Sequence, residues 1–139
     1  MKKFTITVAK TAGFCFGVDR AVKLVYNEIY SGCKAATLGE IIHNPTVVND
    51  LKERGVRVIS SPDEALEGER VVIRSHGAGA DVYRRLEELG IGYSDGTCPF
   101  VRRIQKIAED CSQKGMTVVI MGDSTHPEVI GIAGHCTGN

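Results

Sequence analysis

The sequence predicts an α/β fold of repeated small lobes, each a mostly parallel sheet flanked by helices. Two observations carry this. Strand-like apolar runs alternate with amphipathic helical stretches along the chain, the pattern of parallel strands joined by helical crossovers. The chain also echoes itself at an offset of 83 residues.

The elements follow in order. FTITVA alternates apolar and polar residues and reads as a strand. VDRAVKLVYNEIY places Val18, Ala21, Val22, Val25 and Ile29 on one helical face. AATLG is a short strand. PTVVNDLKERG opens on a proline suited to a first helical turn and closes on a glycine stop. VRVIS and VVIRS are strands. GADVYRRLEELG is a helix closed by Gly90, and CPFVRRIQKIAEDCSQKG a helix closed by Gly115. TVVIMG reads as a buried strand, and HPEVIGIAG begins a last helix.

The repeat aligns scarce residues. Gly13 falls on Gly96, Cys15 on Cys98, Val18 on Val101, Arg20 on Arg103 and Lys23 on Lys106. Gly32 falls on Gly115, Gly39 on Gly122, Glu40 on Asp123 and His43 on His126. Each half reads Gly-x-Cys, helix, glycine stop, strand, then Gly-acid-x-x-His, with 28 residues from Cys to His. The first lobe is expected over residues 1–92 and an incomplete second over residues 93–139. The counterpart of SHGAGA, around His76, would fall past Asn139, so the sequence reads as cut off partway through its second lobe.

The totals bound the function. The chain has 139 residues and is 42% hydrophobic, enough for a real core. Lys plus Arg and Asp plus Glu are 17 each, so no basic field favours nucleic acid. MKKFTITVAKTAG lacks the apolar core of a signal peptide, and no apolar run approaches a membrane span. The expected location is cytoplasmic. Five cysteines in a chain of this kind point to metal ligands, reactive thiols or buried residues rather than to a disulfide framework.

Cys15 and Cys98 each sit where a helix begins, where unpaired N–H groups favour a thiolate. Cys15 alone, between Phe14 and Phe16, reads equally well as a small core residue; its echo at Cys98 favours a chemical role. Cys111 continues the Val101, Ile104, Ile107, Ala108 face and is expected to pack in the core. Cys33 and Cys136 are expected to be structural. His43, His76 and His126 each follow a strand and precede a helix. Helix starts bind anions and histidine adds N–H donors, so the three suggest a phosphate or diphosphate pocket. Gly77-Ala78-Gly79 would let backbone approach such an anion, and His135 is expected to be exposed. Glu128 reads most simply as a first-turn acid complementing its helix dipole; it could also face the pocket as a proton donor. Two Cys and two His could bind zinc, although the cysteines lack zinc-finger spacing. A third lobe obeying the same rule would bring a third cysteine, suiting an iron–sulfur cluster with one open iron.

GFCFGVDRAV, GEIIHNPTVVNDLKERGV, SHGAGADV, DGTCPFVRRI and HPEVIGIAG closely resemble the 4-hydroxy-3-methylbut-2-enyl diphosphate reductase (IspH/LytB) family, across essentially all 139 residues. The resemblance implies three α/β lobes in a pseudo-threefold arrangement about a central cavity, of which this chain holds the first and part of the second. It implies a [4Fe–4S] cluster on three cysteines, with Cys15 and Cys98 matching two of them. It implies that His43, His76 and His126 hold the substrate diphosphate and that Glu128 supplies protons. The implied reaction is reductive dehydroxylation of an allylic diphosphate to isopentenyl and dimethylallyl diphosphate, the last step of the non-mevalonate pathway. The implied electron donor is a protein such as ferredoxin or flavodoxin, with no nucleic-acid or membrane partner. Family members are about twice as long. The third cysteine, a relay threonine and further diphosphate-gripping residues are therefore expected after Asn139, and these residues alone are expected to be inactive. Three readings compete: a non-catalytic Cys/His zinc module, a hydrolase using Cys15 with His43, and an inactive relative that still binds diphosphate.

Overall fold

The protein, represented by a computed structural model, is described over residues 3–137. Helix α1 (Phe16–Tyr30) leads into strand β1 (Lys34–Leu38), then α2 (Pro45–Glu53) and β2 (Arg57–Ile59). A 3-10 turn at Pro62–Glu64 precedes β3 (Glu69–Ile73), α3 (Ala80–Glu88) and β4 (Tyr93–Asp95). Helices α4 (Pro99–Gln113) and α5 (Pro127–Ala133) follow.

Local chemistry sets these boundaries. α1 buries Gly17, Ala21, Val22 and Val25, one face at helical spacing. It ends at Gly32, whose φ of +77° an L side chain would resist. α2 starts where the Asn44 side chain accepts hydrogen bonds from the Thr46 and Val47 amides, with Pro45 in the first turn.

The four strands form one parallel sheet in the order β2-β1-β3-β4. Parallel neighbours need crossovers, and α2 and α3 supply them between β1 and β2 and between β3 and β4. Side chains alternate across the sheet. Ala35 and Val72 pack with Ala21, Val22, Val25 and Leu51 of α1 and α2. Ala36, Leu38, Val71 and Ile73 face the other way, against Leu86 of α3. Both faces are covered, which explains the near-continuous apolar character of β1 and β3. From β1 the chain passes to one neighbour through α2, whereas β3 lies on the other side of β1. The carboxyl ends of β1 and β3 thus form the switch point where α/β sheets collect ligands.

Two expected strands are absent. Phe4–Ala9 and Thr117–Gly122 are not strands, and Ile6 and Met121 are 90% and 94% exposed. A strand needs a neighbour for its amides, and among the described residues neither segment pairs into the sheet. The α4 stripe also divides. Val101 and Ala108 are buried, whereas Ile104 and Ile107 are exposed and Cys111 is only half-buried. These three line an open apolar cleft with Met116–Met121 and Ile132. No helix among the described residues is long and apolar enough to cross a membrane.

Candidate functional site

The loops leaving β1 and β3 carry His43 and His76 to the carboxyl edge of the sheet, and the start of α5 brings His126 beside them. The ring centroids of His43 and His76 are 5.5 Å apart, and those of His76 and His126 are 5.6 Å apart. Residues far apart in sequence thus converge as a row centred on His76.

Each histidine has its own environment. His43 is exposed and stands just before the Asn44 cap of α2. His126 is itself the cap of α5, where its Nδ1 accepts the Glu128 amide at 3.2 Å. That bond places the proton of neutral His126 on Nε2, leaving Nε2–H free to donate. His76 is half-buried, and its Nδ1 has no partner. Burial holds its pKa below the ordinary value; Arg74 and His43 push the same way, and the Glu128 carboxylate opposes them. His76 is therefore neutral at pH 7, and the charge of Glu128 is felt at the histidine row.

Cys98 packs at a second place, against the start of the helix that Cys15 caps. Cys15 caps α1 and Cys98 caps α4, and neither side chain makes a capping hydrogen bond. Cys15 is exposed among the described residues. Gly17 is buried in the first turn of α1. A methyl group there would stand 2.7 Å from Cys98 Sγ and 2.9 Å from Cys98 Cβ. Its absence lets the Cys98 side chain rest on the start of the helix that Cys15 opens. The Cys98 amide donates to Ser75 O at 2.9 Å, one residue from His76, so the thiol region and the histidine row adjoin. Among the described residues, no three His, Cys, Asp or Glu side chains are grouped to hold a metal ion.

The structure reassigns several residues. Gly77 and Gly79 serve close packing: a methyl at Gly77 would press on Gln105 and Thr97, and one at Gly79 on Asp81 and Gly134. His135 is half-buried rather than exposed, with Nε2 3.1 Å from Ala78 O. Sequence reasoning missed Gly17, which stands outside the repeat. It missed Gln105, a buried amide whose Nε2 lacks a partner beside Gly77. It also missed Arg74, whose guanidinium lies over Gly39 with no hydrogen-bonding partner among the described residues. Only the position of Arg74, two residues before His76 at a strand end, could have suggested it.

The chain is similar to known proteins in sequence and fold. The family model described as LytB protein matches residues 6–139. A 4-hydroxy-3-methylbut-2-enyl diphosphate reductase of Caldanaerobacter subterraneus is 50% identical over 135 residues, covering 94% of this chain and 47% of that protein. The same-named protein of Thermoanaerobacter pseudethanolicus is 47% identical, with the same coverage. A solved structure of (E)-4-hydroxy-3-methyl-but-2-enyl diphosphate reductase superposes with a TM-score of 0.79 at 44% identity, covering 94% of this chain and 46% of that one. The reductase of Plasmodium falciparum gives 0.85 at 23% identity, covering 91% and 40%, a likeness of fold. The chain spans about half the length of the curated relatives it matches. With the family match running across nearly all of its residues, the chain belongs to the LytB protein family.

Proposed function

We propose that this chain forms part of an iron–sulfur reductase that removes the hydroxyl group from (E)-4-hydroxy-3-methylbut-2-enyl diphosphate. The convergence of His43, His76 and His126 beside the Cys15–Cys98 region carries the reading. The named relatives support the substrate class. Residues 1–92 and 93–139 correspond in this reading to a first lobe and part of a second lobe of a larger enzyme, with β4 (Tyr93–Asp95) lying in the first lobe's sheet.

The donor chemistry fits a [4Fe–4S] cluster. Two soft thiol ligands at helix starts, neither engaged by a capping bond, suit iron–sulfur ligation rather than a hard cation. Cys15 and Cys98 would hold it, with a further ligand from outside the described residues. When bound, the cluster would pass on two electrons, one at a time, and offer the Lewis-acidic iron that the loss of hydroxyl requires. An electron-carrying protein such as ferredoxin or flavodoxin would deliver those electrons. A structural zinc module is disfavoured by spacing, since Cys15 and Cys98 lie 83 residues apart and not in a close pair.

The chain's own side chains then bind and orient. His126 donates from Nε2 to a diphosphate oxygen. His76, neutral in the empty site, takes up a proton as the anion arrives, because a nearby negative charge favours the imidazolium. His43, exposed at the rim, closes the third side. Held at that end, the substrate presents its hydroxyl towards the cysteine region. Glu128, beside His126, would, once protonated, give the proton that converts departing hydroxide into water, and a second proton taken up at carbon completes the two-electron reduction.

Calorimetric titration of the 139-residue chain with inorganic diphosphate tests the reading. Single His43→Gln, His76→Gln and His126→Gln changes should each weaken binding by about tenfold or more, since a hydrogen bond to a charged group is worth roughly 1.5–3 kcal/mol. Wild-type affinity in all three variants would overturn it.

A further inference from the structure

Cys15 and Cys98 lie 83 residues apart and belong to different helices, so something must set one thiol against the other. The contact at Gly17 seats Cys98 against the start of α1 but fixes no direction for either thiol. Arg20 lies three residues beyond Gly17, on the same side of α1. Its Nη1 donates to the carbonyl oxygen of Thr97 at 3.2 Å, and its Nη2 to that of Asp95 at 3.1 Å. The Asp95 carbonyl ends β4 and the Thr97 carbonyl lies in the short loop that leads from it to Cys98, in the peptide unit that carries the Cys98 amide.

The rest of the loop is also tied. Gly96 donates its amide to Ile73 O at 2.8 Å, Thr97 to Asp95 Oδ1 at 2.8 Å, and Cys98 to Ser75 O at 2.9 Å. These bonds fasten the loop to itself and to the region around the end of β3. Among the described residues, the Arg20 bonds are the hydrogen bonds that tie Asp95 and Thr97 to α1, the helix that carries Cys15; the Ser94 hydroxyl, just before them in β4, also donates to Glu28 of that helix. Arg20 makes no ion pair among the described residues, so its donors are committed to backbone. A planar guanidinium suits the task, because its rigid fork addresses two acceptors at a fixed separation. The repeat keeps an arginine five residues after each cysteine, Arg20 and Arg103.

We infer that Arg20 is a positioning residue: its fork on the Asp95 and Thr97 carbonyls sets the Cys98 thiol relative to Cys15. The inference rests on the proposed joint role of the two cysteines, but the geometry it concerns is measurable without metal.

The test uses the 139-residue chain with Cys33, Cys111 and Cys136 changed to serine, and dibromobimane as a thiol–thiol cross-linker. Arg20→Met should slow Cys15–Cys98 cross-linking by about tenfold, while first-step alkylation of exposed Cys15 keeps its rate. Amide exchange at Cys98 should accelerate by a similar factor while that at Val71 stays unchanged. A merely stabilising arginine would raise both exchange rates together. Cross-linking and Cys98 exchange at parental rates would overturn the inference. If Arg20→Met loses its fold, Arg20→Gln is judged by the same two results. Failure of the parent itself to cross-link would instead overturn the joint cysteine role, and the clamp with it.

Discussion

Replacing Gly17 with alanine adds one methyl group at the point where the two cysteine-bearing helices touch. That methyl would stand 2.7 Å from Cys98 Sγ and 2.9 Å from Cys98 Cβ. Non-bonded carbons rest at roughly 3.5–4.0 Å, so Cys98 must retreat by about 0.6–1.1 Å. The nearer obstacle is a sulfur on a short side chain, and the next is a Cβ fixed to backbone, so rotation alone does not relieve the clash. Overpacking of this kind costs about 1–3 kcal/mol. Alanine recovers up to about 1 kcal/mol of helix propensity over glycine. The net loss is about 0–3 kcal/mol, a fall in Tm of up to about 10 °C for a chain of this size. The effect on paired thiol ligation should be larger than that on stability. Displacing a ligand by such a distance should weaken cadmium binding by about 10–100-fold, the range seen when support of a ligand is lost. Anaerobic Cd(II) titration, followed by thiolate charge-transfer absorbance beside a thermal melt, reads both quantities. A variant that gains about 1 kcal/mol and binds cadmium as the wild type does would refute the contact, since helix propensity alone predicts that result.

Two further outcomes follow from the fold and the histidine row. Leu86→Ala removes a fully buried side chain between α3 and the sheet and should cost about 2–5 kcal/mol in urea unfolding; a loss under about 1 kcal/mol would mean that α3 is not packed as described. His76 has a folded pKa depressed below its unfolded value of 6.5. Its contribution is therefore present in full above pH 6.5 and is lost as pH falls through the depressed value, where the unfolded chain binds more protons. Unfolding measured from pH 7.5 to 5 should show this acid loss, and His76→Gln should flatten it; an unchanged slope in the variant would assign the loss to other groups.

The sequence made the sheet legible where side chains alone decide the structure. β1 and β3 are short apolar runs bounded by turn residues, and α2 carries its own cap and stop in Asn44, Pro45 and Gly55. β4 was not legible, because Tyr93-Ser94-Asp95 has no strand pattern of its own and becomes a strand by pairing with Val71–Ile73. The reverse held for Phe4–Ala9 and Thr117–Gly122. Their pattern is strand-like, but a strand also needs a partner, which pattern does not reveal. At the site, the 83-residue echo exposed Cys15, Cys98, His43 and His126, since scarce residues repeating at one offset are visible without coordinates. Gly17 was invisible for the opposite reason: its role is to be absent as a side chain beside a cysteine 81 positions away. Gln105 was hidden because lacking a partner is a property of three-dimensional surroundings, and Arg74 because its place over Gly39 is one too.

The central claim is that Cys15 and Cys98 act together as ligands to one iron–sulfur centre. Iron and sulfide analysis after anaerobic reconstitution of the 139-residue chain tests it most directly, with Cys15→Ser, Cys98→Ser and the double variant in parallel. The account predicts visible absorbance and bound iron short of four atoms per chain and readily lost, because the described residues group no three donors. It predicts that either single change lowers both signals to the level of the double variant. Stable binding of a full cluster, or single variants that each retain about half of the iron, would contradict it.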